Sequence, residues 1–176
     1  PMSSGLSNSC HTAQGLAREF EDRVFVADVR RISVTLREAV VRATELVGEG
    51  KTAQDIRQTL EREAMQSSIY IAVNTMDYLK KGGRITASAA MIGTVLNIKP
   101  ILTIQGGKLD AFSKARSIRK CELRMAEALQ RDLQKRFPDA VGEQIRIGAA
   151  GTDLTEEEQE QWKTILAGTF PGVEVL

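Results

Sequence analysis

The chain has 176 residues, of which 42% are hydrophobic, and a formal net charge of +1. This apolar content is enough for a buried core, so the composition excludes a disordered tail. Near-neutral charge argues against a general nucleic-acid binder, because such proteins neutralise many phosphates. Apolar runs are all too short for an integral membrane segment, which needs about 20 apolar residues.

Cysteine and histidine usage excludes the common metal sites. Cys10 and Cys121 have no metal-ligand spacing, and His11 is the only histidine, so we expect no metal and no cofactor. The sequence has no signal-peptide pattern, which predicts a cytoplasmic location. The opening residues, Pro-Met-Ser-Ser-Gly, are typical of the middle of a protein, so we expect residues to be missing at the start and the end.

Helical periodicity dominates the first third of the chain. Apolar residues at steps of three and four predict a helix over 6–20, and the small polar residues before it predict its cap. The run RVFVAD at 23–28 predicts a buried strand. A second helix is predicted over 34–48, and its expected apolar face carries Leu36, Val40, Ala43 and Val47. Thr52 is then placed to begin a third helix.

The remaining two thirds alternate between strand and helix patterns. The predicted elements are a strand at 68–74, a short helix from Thr75 to Gly82, an apolar segment at 86–96, strands at 98–105 and 108–114 joined by a turn at Gly106 and Gly107, a helix at 114–136, a strand at 144–150, a helix at 155–166 and a strand at 173–176. This alternation predicts an α/β fold in which helices flank a parallel sheet. The glycine turn adds an antiparallel hairpin portion and favours two lobes.

Two segments are candidates for holding an anion. Ser3 and Ser4 precede the first helix, where hydroxyls and unpaired backbone N–H groups together suit a carboxylate or phosphate. An ordinary helix cap explains the same residues. Arg84 follows two glycines in KKGGRI, and its guanidinium fork also suits a carboxylate. The alternative is a helix C-cap in which the basic residues favour the helix dipole.

Two further segments are candidates for contacting a ligand or a partner. The segment 87–104 mixes small and branched apolar residues, which is typical of a core and also of the wall of an apolar pocket. The segment 114–124 is the densest basic stretch, either a solvated helix face or a docking face for an acidic partner.

Taken together, these motifs resemble the DegV family. The strings that carry the resemblance are, in chain order, SSGLS at 3–7, YLKKGGRI at 78–85, LNIKPIL at 96–102, GKL at 107–109 and KAR at 114–116. The resemblance implies a two-lobed α/β protein in which 1–22 ends the first lobe and 23–176 forms a second lobe truncated at its end. The chain departs from the family pattern at 8–11 and at 30–33, where RRIS replaces a stretch that usually contains glycine.

The resemblance also implies a function. Family members bind one long-chain fatty acid between two lobes, and some present it to a separate kinase that phosphorylates the carboxylate. By position, Ser3 and Ser4 would hold the carboxylate, with Arg84 as a basic neighbour. Further carboxylate contacts of the family would lie before residue 1 and after Leu176. Such a chain is a lipid-binding protein and not a self-sufficient enzyme.

Residue roles follow from these expectations. The acyl chain is expected to contact six apolar side chains, namely Met91, Ile92, Val95, Leu96, Ile98 and Ile101. The kinase is expected to dock on a basic helix face formed by Arg116, Arg119 and Lys120. One alternative is a phosphotransferase subunit of a small-molecule kinase with a related α/β fold, in which His11 accepts phosphate. Another is a purely structural interaction domain.

Overall fold

A computed structural model describes residues 1–21, 23–91, 98–105, 107–140, 142, 145–152 and 154–176. Its elements in chain order are α1 (Ser9–Ala17), a 3₁₀ turn (Arg18–Phe20), α2 (Ser33–Gly48), α3 (Ala53–Arg62), β1 (Ile69–Ala72), α4 (Asp77–Gly82), α5 (Ala87–Ala90), β2 (Lys99–Ile104), β3 (Asp110–Ala115), α6 (Ile118–Lys135) and α7 (Glu156–Thr169). Along these described stretches, the helices fall short of the length and apolar character required to cross a bilayer.

The chain forms two compact units. Unit 1 comprises residues 1–69 and 104–109, and unit 2 comprises residues 70–103 and 110–176. The mixture of helices and strands confirms the predicted α/β class. The boundary between residues 22 and 23, which was expected to separate two lobes, stays a prediction.

Unit 1 is largely helical. Its third helix begins where the sequence predicts, because the Thr52 hydroxyl accepts a hydrogen bond of 3.2 Å from the Asp55 N–H. The first helix is shorter than predicted and begins at Ser9 with Asn8 as its cap. Cys10 is its one fully buried side chain, with 1% of its surface exposed.

The predicted apolar face of α2 is wrong. Val40 and Val47 are 61% and 63% exposed, and the buried side chains are Ala39 and Leu46. The helix carries apolar residues on two adjacent faces, and both repeat at helical spacing. α2 packs against α3, and the spacing alone could not show which of its two faces becomes buried.

The strand predicted at 23–28 is also wrong. Residues 24–32 form neither helix nor strand, and the Asp28 N–H donates to Glu61 Oε1 at 3.3 Å instead of to a strand partner. Within this segment the non-glycine residue Arg30 adopts φ = 51°, and Ser33, the first residue of α2, adopts φ = 49°. Both values lie in the left-handed region of backbone conformation. Residues other than glycine adopt this region only at a cost in free energy.

Unit 2 is built on a sheet with the strand order β1-β2-β3. β2 and β3 pair antiparallel, which confirms the predicted hairpin, with one register irregularity between Ile101 and Leu102. Gly107 lies in the turn, and the predicted partner Gly106 lies outside the described residues. Ile147 and Val175 form an isolated parallel bridge, in the two segments predicted as full strands.

The described residues of unit 2 include two clusters of buried side chains. One cluster lies between the sheet and α6 and contains Ile101, Ala115, Cys121 and Met125. The other lies where α6 meets α7 and contains Ala126, Ile147, Leu166 and Phe170. Cys121 has no exposed surface. Tyr70, Phe112 and Trp162 pack against the first cluster, whereas the second cluster is mostly aliphatic.

The long helix of unit 2 begins later than predicted. Ser117 caps α6 by accepting a hydrogen bond of 3.3 Å from the Lys120 N–H. Arg116 therefore lies in the turn after β3 and not on the helix. The prediction that Arg116 shares a helix face with Arg119 and Lys120 is wrong because β3 continues to Ala115.

Candidate functional site

Residues Ser3–Ser7 form a tight turn, which we call the serine turn. The Ser3 carbonyl accepts hydrogen bonds from the Leu6 N–H at 3.0 Å and the Ser7 N–H at 3.1 Å. The Ser3 hydroxyl oxygen accepts one from the Gly5 N–H at 3.3 Å, and the residue has no exposed surface. The two serines therefore belong to a separate turn and do not cap α1, which begins at Ser9.

The serine turn is anchored to the segment 28–31. The Ser3 N–H donates to the Arg31 carbonyl at 3.0 Å, and the Ser4 N–H donates to Asp28 Oδ1 at 3.3 Å. The Ser4 hydroxyl donates to the same carboxylate, and so does the Arg30 N–H at 3.3 Å. Partial burial raises the pKa of Asp28, but these donors outweigh it and hold the pKa below its usual value.

Gly5 brings the serine turn against the hairpin tip. A Cβ atom at position 5 would lie 2.5 Å from the Gly107 carbonyl carbon and 2.6 Å from its Cα. Both residues belong to unit 1. A side chain at position 5 would therefore push the turn away from its present place.

Carboxylates and arginines both lie near the serine turn. Asp28 accepts from Ser4, and Glu61 lies within hydrogen-bonding distance of the Asp28 backbone. Burial raises the pKa of the Cys10 thiol, and the nearby charges of Asp28 and Glu61 raise it further. Arg30 Nε lies 3.9 Å from Asp28 Oδ2, and its positive charge offsets part of the negative charge of these carboxylates. The backbone N–H groups of the turn and the Ser4 hydroxyl thus already donate to acceptors of the protein.

A shallow groove of about 400 Å³ lies along α1 next to the serine turn and is largely open to solvent. Its lining passes from polar to apolar in chain order, through Ser7, Asn8, Ser9, Thr12, Ala13 and Leu16. The groove was not predicted from the sequence, although hydroxyls and apolar residues alternate along this helix. The sequence also predicted no role for Asp28 and Arg31, because their contacts with the turn join residues far apart in the chain.

Arg84 lies in unit 2 at the end of α4. Gly83 ends this helix in the left-handed conformation, with φ = 67°. The Arg84 N–H then donates to the Leu79 carbonyl at 3.3 Å, and the guanidinium donates to the Gly82 carbonyl. The C-cap alternative is therefore confirmed. A role for Arg84 in carboxylate binding stays a prediction.

The six predicted acyl-contacting residues fall in different environments. Met91 is 84% exposed, whereas Ile101 is completely buried in the core of unit 2. Ile98 is half-buried. Ile92, Val95 and Leu96 lie outside the described residues. The acyl wall thus stays a prediction.

The predicted docking residues Arg116, Arg119 and Lys120 are all exposed. Arg124, one turn further along α6, is instead tied to β3, since it donates to the Lys114 carbonyl and to Ser113 Oγ at 3.3 Å. Leu123 lies among these basic residues and is 45% exposed. The surface is basic with an apolar side chain at its edge, and its use for docking stays a prediction.

Similarity to known proteins covers nearly the whole chain. A family model described as "Uncharacterised protein, DegV family" matches residues 1–175. A DegV domain-containing protein of Deinococcus radiodurans is 38% identical over 130 residues, which is 74% of this chain and 46% of the relative. A DegV domain-containing protein of Streptomyces coelicolor is 34% identical over 72% of this chain and 45% of the length of that relative. The chain thus spans about half the length of these relatives.

Solved structures show the same fold. A DegV family protein of Thermus thermophilus, described by its fatty-acid binding, superposes with a TM-score of 0.77 at 30% identity, covering 99% of this chain and 60% of its own. DegV of Bacillus subtilis, described as a fatty-acid-binding protein, gives a TM-score of 0.76 at 26% identity. The match covers 99% of this chain and 60% of the Bacillus protein. A DegV family protein of Corynebacterium glutamicum gives a TM-score of 0.80 at 24% identity. The match covers 99% of this chain and 64% of that protein, and it supports the fold alone.

Proposed function

Since this chain belongs to the DegV family, we propose that it is a fatty-acid-binding protein, which encloses a long-chain acyl group and holds its carboxylate. The observation that carries the proposal is the serine turn, which places two hydroxyls at a position fixed by hydrogen bonds. The fatty-acid binding described for the Thermus and Bacillus relatives supports the same ligand class.

The energetics of an acyl ligand agree with this arrangement. Burying an alkyl chain gains about 0.8 kcal/mol for each CH₂ group. A carboxylate removed from water must be hydrogen-bonded, or the cost of its desolvation cancels much of that gain. In this proposal Ser3 and Ser4 supply the donors, and the ligand carboxylate replaces Asp28 as the acceptor of the Ser4 hydroxyl. The groove along α1 offers apolar surface beyond its hydroxyls.

The negative charge of Asp28 and Glu61 sets a condition on the proposal. A ligand carboxylate beside Ser4 needs a positive charge near it to offset these two carboxylates. Arg84 is our candidate for that cation, by position in the family motif. Because the chain spans about half of its relatives, full affinity is proposed for the full-length protein and not for these residues alone.

We further propose that the protein presents the bound carboxylate to a kinase that forms an acyl phosphate. The exposed basic side chains Arg116, Arg119 and Lys120 would meet an acidic surface of that kinase, and Leu123 would add apolar contact. A nucleotide-dependent kinase works where nucleotide is abundant, so a cytoplasmic location belongs to this proposal. The protein itself would supply binding and orientation and not the chemical step.

Native mass spectrometry of the purified full-length protein tests the ligand. We expect a noncovalent mass that organic extraction releases as a long-chain fatty acid. A covalent phosphoryl group on His11 would instead support the phosphotransferase alternative. Protein that carries neither, and that does not bind added oleate, would exclude the proposed function.

A pair of variants tests the serine turn itself. We expect Ser3→Ala/Ser4→Ala to weaken oleate binding by about 1.5–3 kcal/mol, roughly tenfold to a hundredfold, because hydrogen bonds to a charged group are lost. The matched control is Thr44→Ala/Thr59→Ala, which removes two hydroxyls from α2 and α3 of the same unit. Equal affinities of the two double variants would remove the serines from the site.

A further inference from the structure

Arg31 lies in the segment 28–33, which leads into α2. The backbone there adopts left-handed conformations at Arg30 and Ser33, which glycine would adopt at lower cost. A costly conformation persists only where other contacts fix it. The side chain of Arg31 supplies such contacts.

The guanidinium of Arg31 caps the end of α3. Its Nε donates to the Ala64 carbonyl at 3.4 Å, and its Nη2 donates to the Glu63 carbonyl. Both carbonyls follow the last residue of the helix, Arg62, where backbone acceptors lack helical partners and the dipole is negative. Arg31 therefore joins the segment 28–33 to a rigid element 32 and 33 residues away.

The backbone of the same segment holds the serine turn. The Arg31 carbonyl accepts from the Ser3 N–H at 3.0 Å, and the Asp28 carboxylate accepts from the Ser4 N–H at 3.3 Å. The contacts thus form a chain that runs from the end of α3 through Arg31 to the two serines. All of them lie within unit 1.

We infer that Arg31 is a positioning residue for the serine turn: it fixes the segment 28–33 on the end of α3 and thereby sets where Ser3 and Ser4 lie. This inference rests on the proposed function, since it concerns the place of the carboxylate-binding hydroxyls. Arg31 acts through its neighbours and needs no contact with the ligand.

The chemistry of the side chain predicts a graded response. A lysine carries one ammonium, which reaches one of the two carbonyls but does not reproduce a planar fork. A methionine fills similar space without any donor. Arg31→Met should therefore release the segment, and Arg31→Lys should retain part of its fixation.

Two controls separate positioning from general loss of stability. Arg42→Met removes a guanidinium of the same unit that pairs with the side chains of Glu45, Glu49 and Glu63. Leu46→Ala cuts a buried side chain of α2 and lowers stability without touching the turn. Thermal midpoints of all variants are measured with their oleate affinities.

The experiment combines oleate titration of the full-length protein with hydrogen exchange of the Ser3, Leu6 and Ser7 amides. We expect Arg31→Met to weaken oleate binding about tenfold and to speed exchange at these amides, with Arg31→Lys between it and the wild type. Arg42→Met and Leu46→Ala should leave the affinity within about twofold of the wild type.

Two results would overturn the inference. One is an Arg31→Met variant whose oleate affinity and amide exchange equal those of the wild type. The other is a Leu46→Ala variant that has the same thermal midpoint as Arg31→Met and loses as much oleate affinity. Wild-type protein that binds no oleate contradicts the proposed function instead. In that case the amide exchange of the turn still decides whether Arg31 fixes it.

Discussion

The Tyr70 hydroxyl donates a hydrogen bond of 2.8 Å to Asp132 Oδ2, which joins β1 to the last turns of α6. Arg136 lies 3.3 Å from the same carboxylate oxygen. The Tyr70 ring also packs on Phe112 of β3, with ring centroids 4.6 Å apart. One side chain therefore ties two strands and a helix of unit 2 together.

Tyr70→Phe should lower the free energy of unfolding by about 1 kcal/mol at neutral pH, because it deletes the hydroxyl and keeps the ring. Burial and the bond to Asp132 raise the pKa of Tyr70 to about 12. The contribution of the hydroxyl is thus present below pH about 10, the unfolded value, and is lost as the pH rises to about 12. Chemical denaturation across this range measures it. Tyr78→Phe, at a tyrosine that is 78% exposed, is the control, and an equal effect there would refute the assignment.

Glu122→Gln should stabilise the protein at neutral pH. Glu122 of α6 is 6% exposed, and burial raises its pKa, as does the charge of Glu158 on α7, although Arg119 lowers it. A raised carboxyl pKa means that ionisation costs stability, fully above the raised pKa and not at all below the ordinary value near 4.3.

The measurement for Glu122 is the thermal midpoint against pH for wild type and variant. The two curves should meet in acid and separate as the pH rises to 7. Glu127→Gln, on the exposed side of the same helix, controls for removing one negative charge. Parallel curves for wild type and Glu122→Gln would show that Glu122 bears no ionisation cost.

Gly5→Ala should destabilise unit 1 by about 1–3 kcal/mol and weaken oleate binding, because the new methyl group meets the Gly107 backbone. Gly15→Ala is the matched control. A Cβ at Gly15 meets no atom within 4 Å, and alanine in a helix is favoured over glycine by about 0.5–1 kcal/mol. Denaturant titration should therefore give shifts of opposite sign, and a stable Gly5→Ala variant would contradict the close approach.

Arg116→Glu should slow phosphorylation of the bound fatty acid by its kinase and leave oleate binding unchanged. Charge complementarity mainly raises the rate of encounter and is screened by salt. Rates are compared across ionic strength for the wild type, the variant and Arg42→Glu, which reverses a charge in the other unit. Equal rates and equal salt dependence in Arg116→Glu and wild type would make this surface a solvated face.

Local signals in the sequence were sufficient for several helix boundaries and for the hairpin. Thr52 and Thr155 both cap the helices predicted to begin there, since each hydroxyl accepts the N–H three residues on. A cap needs a few consecutive residues, so the sequence contains it completely. The β2–β3 hairpin is equally local, because a short turn brings its strands together.

Contacts between distant segments were not predictable in the same way. The face that α2 buries depends on α3, and residues 24–32 fail to form a strand although their apolar run favours one. The candidate site shows the same division. Motifs identified Ser3 and Ser4, but their anchors Asp28 and Arg31 are 24 or more residues away and became visible only in the structure.

The two cysteines provide one natural reporter in each unit. Cys10 of unit 1 is 1% exposed, and Cys121 of unit 2 has no exposed surface. Burial raises the pKa of both thiols. A thiolate-specific reagent therefore reacts with each cysteine only after local unfolding has exposed it. Labelling rates followed separately at the two positions therefore time the opening of the helical unit and of the sheet-containing unit, without any engineered probe.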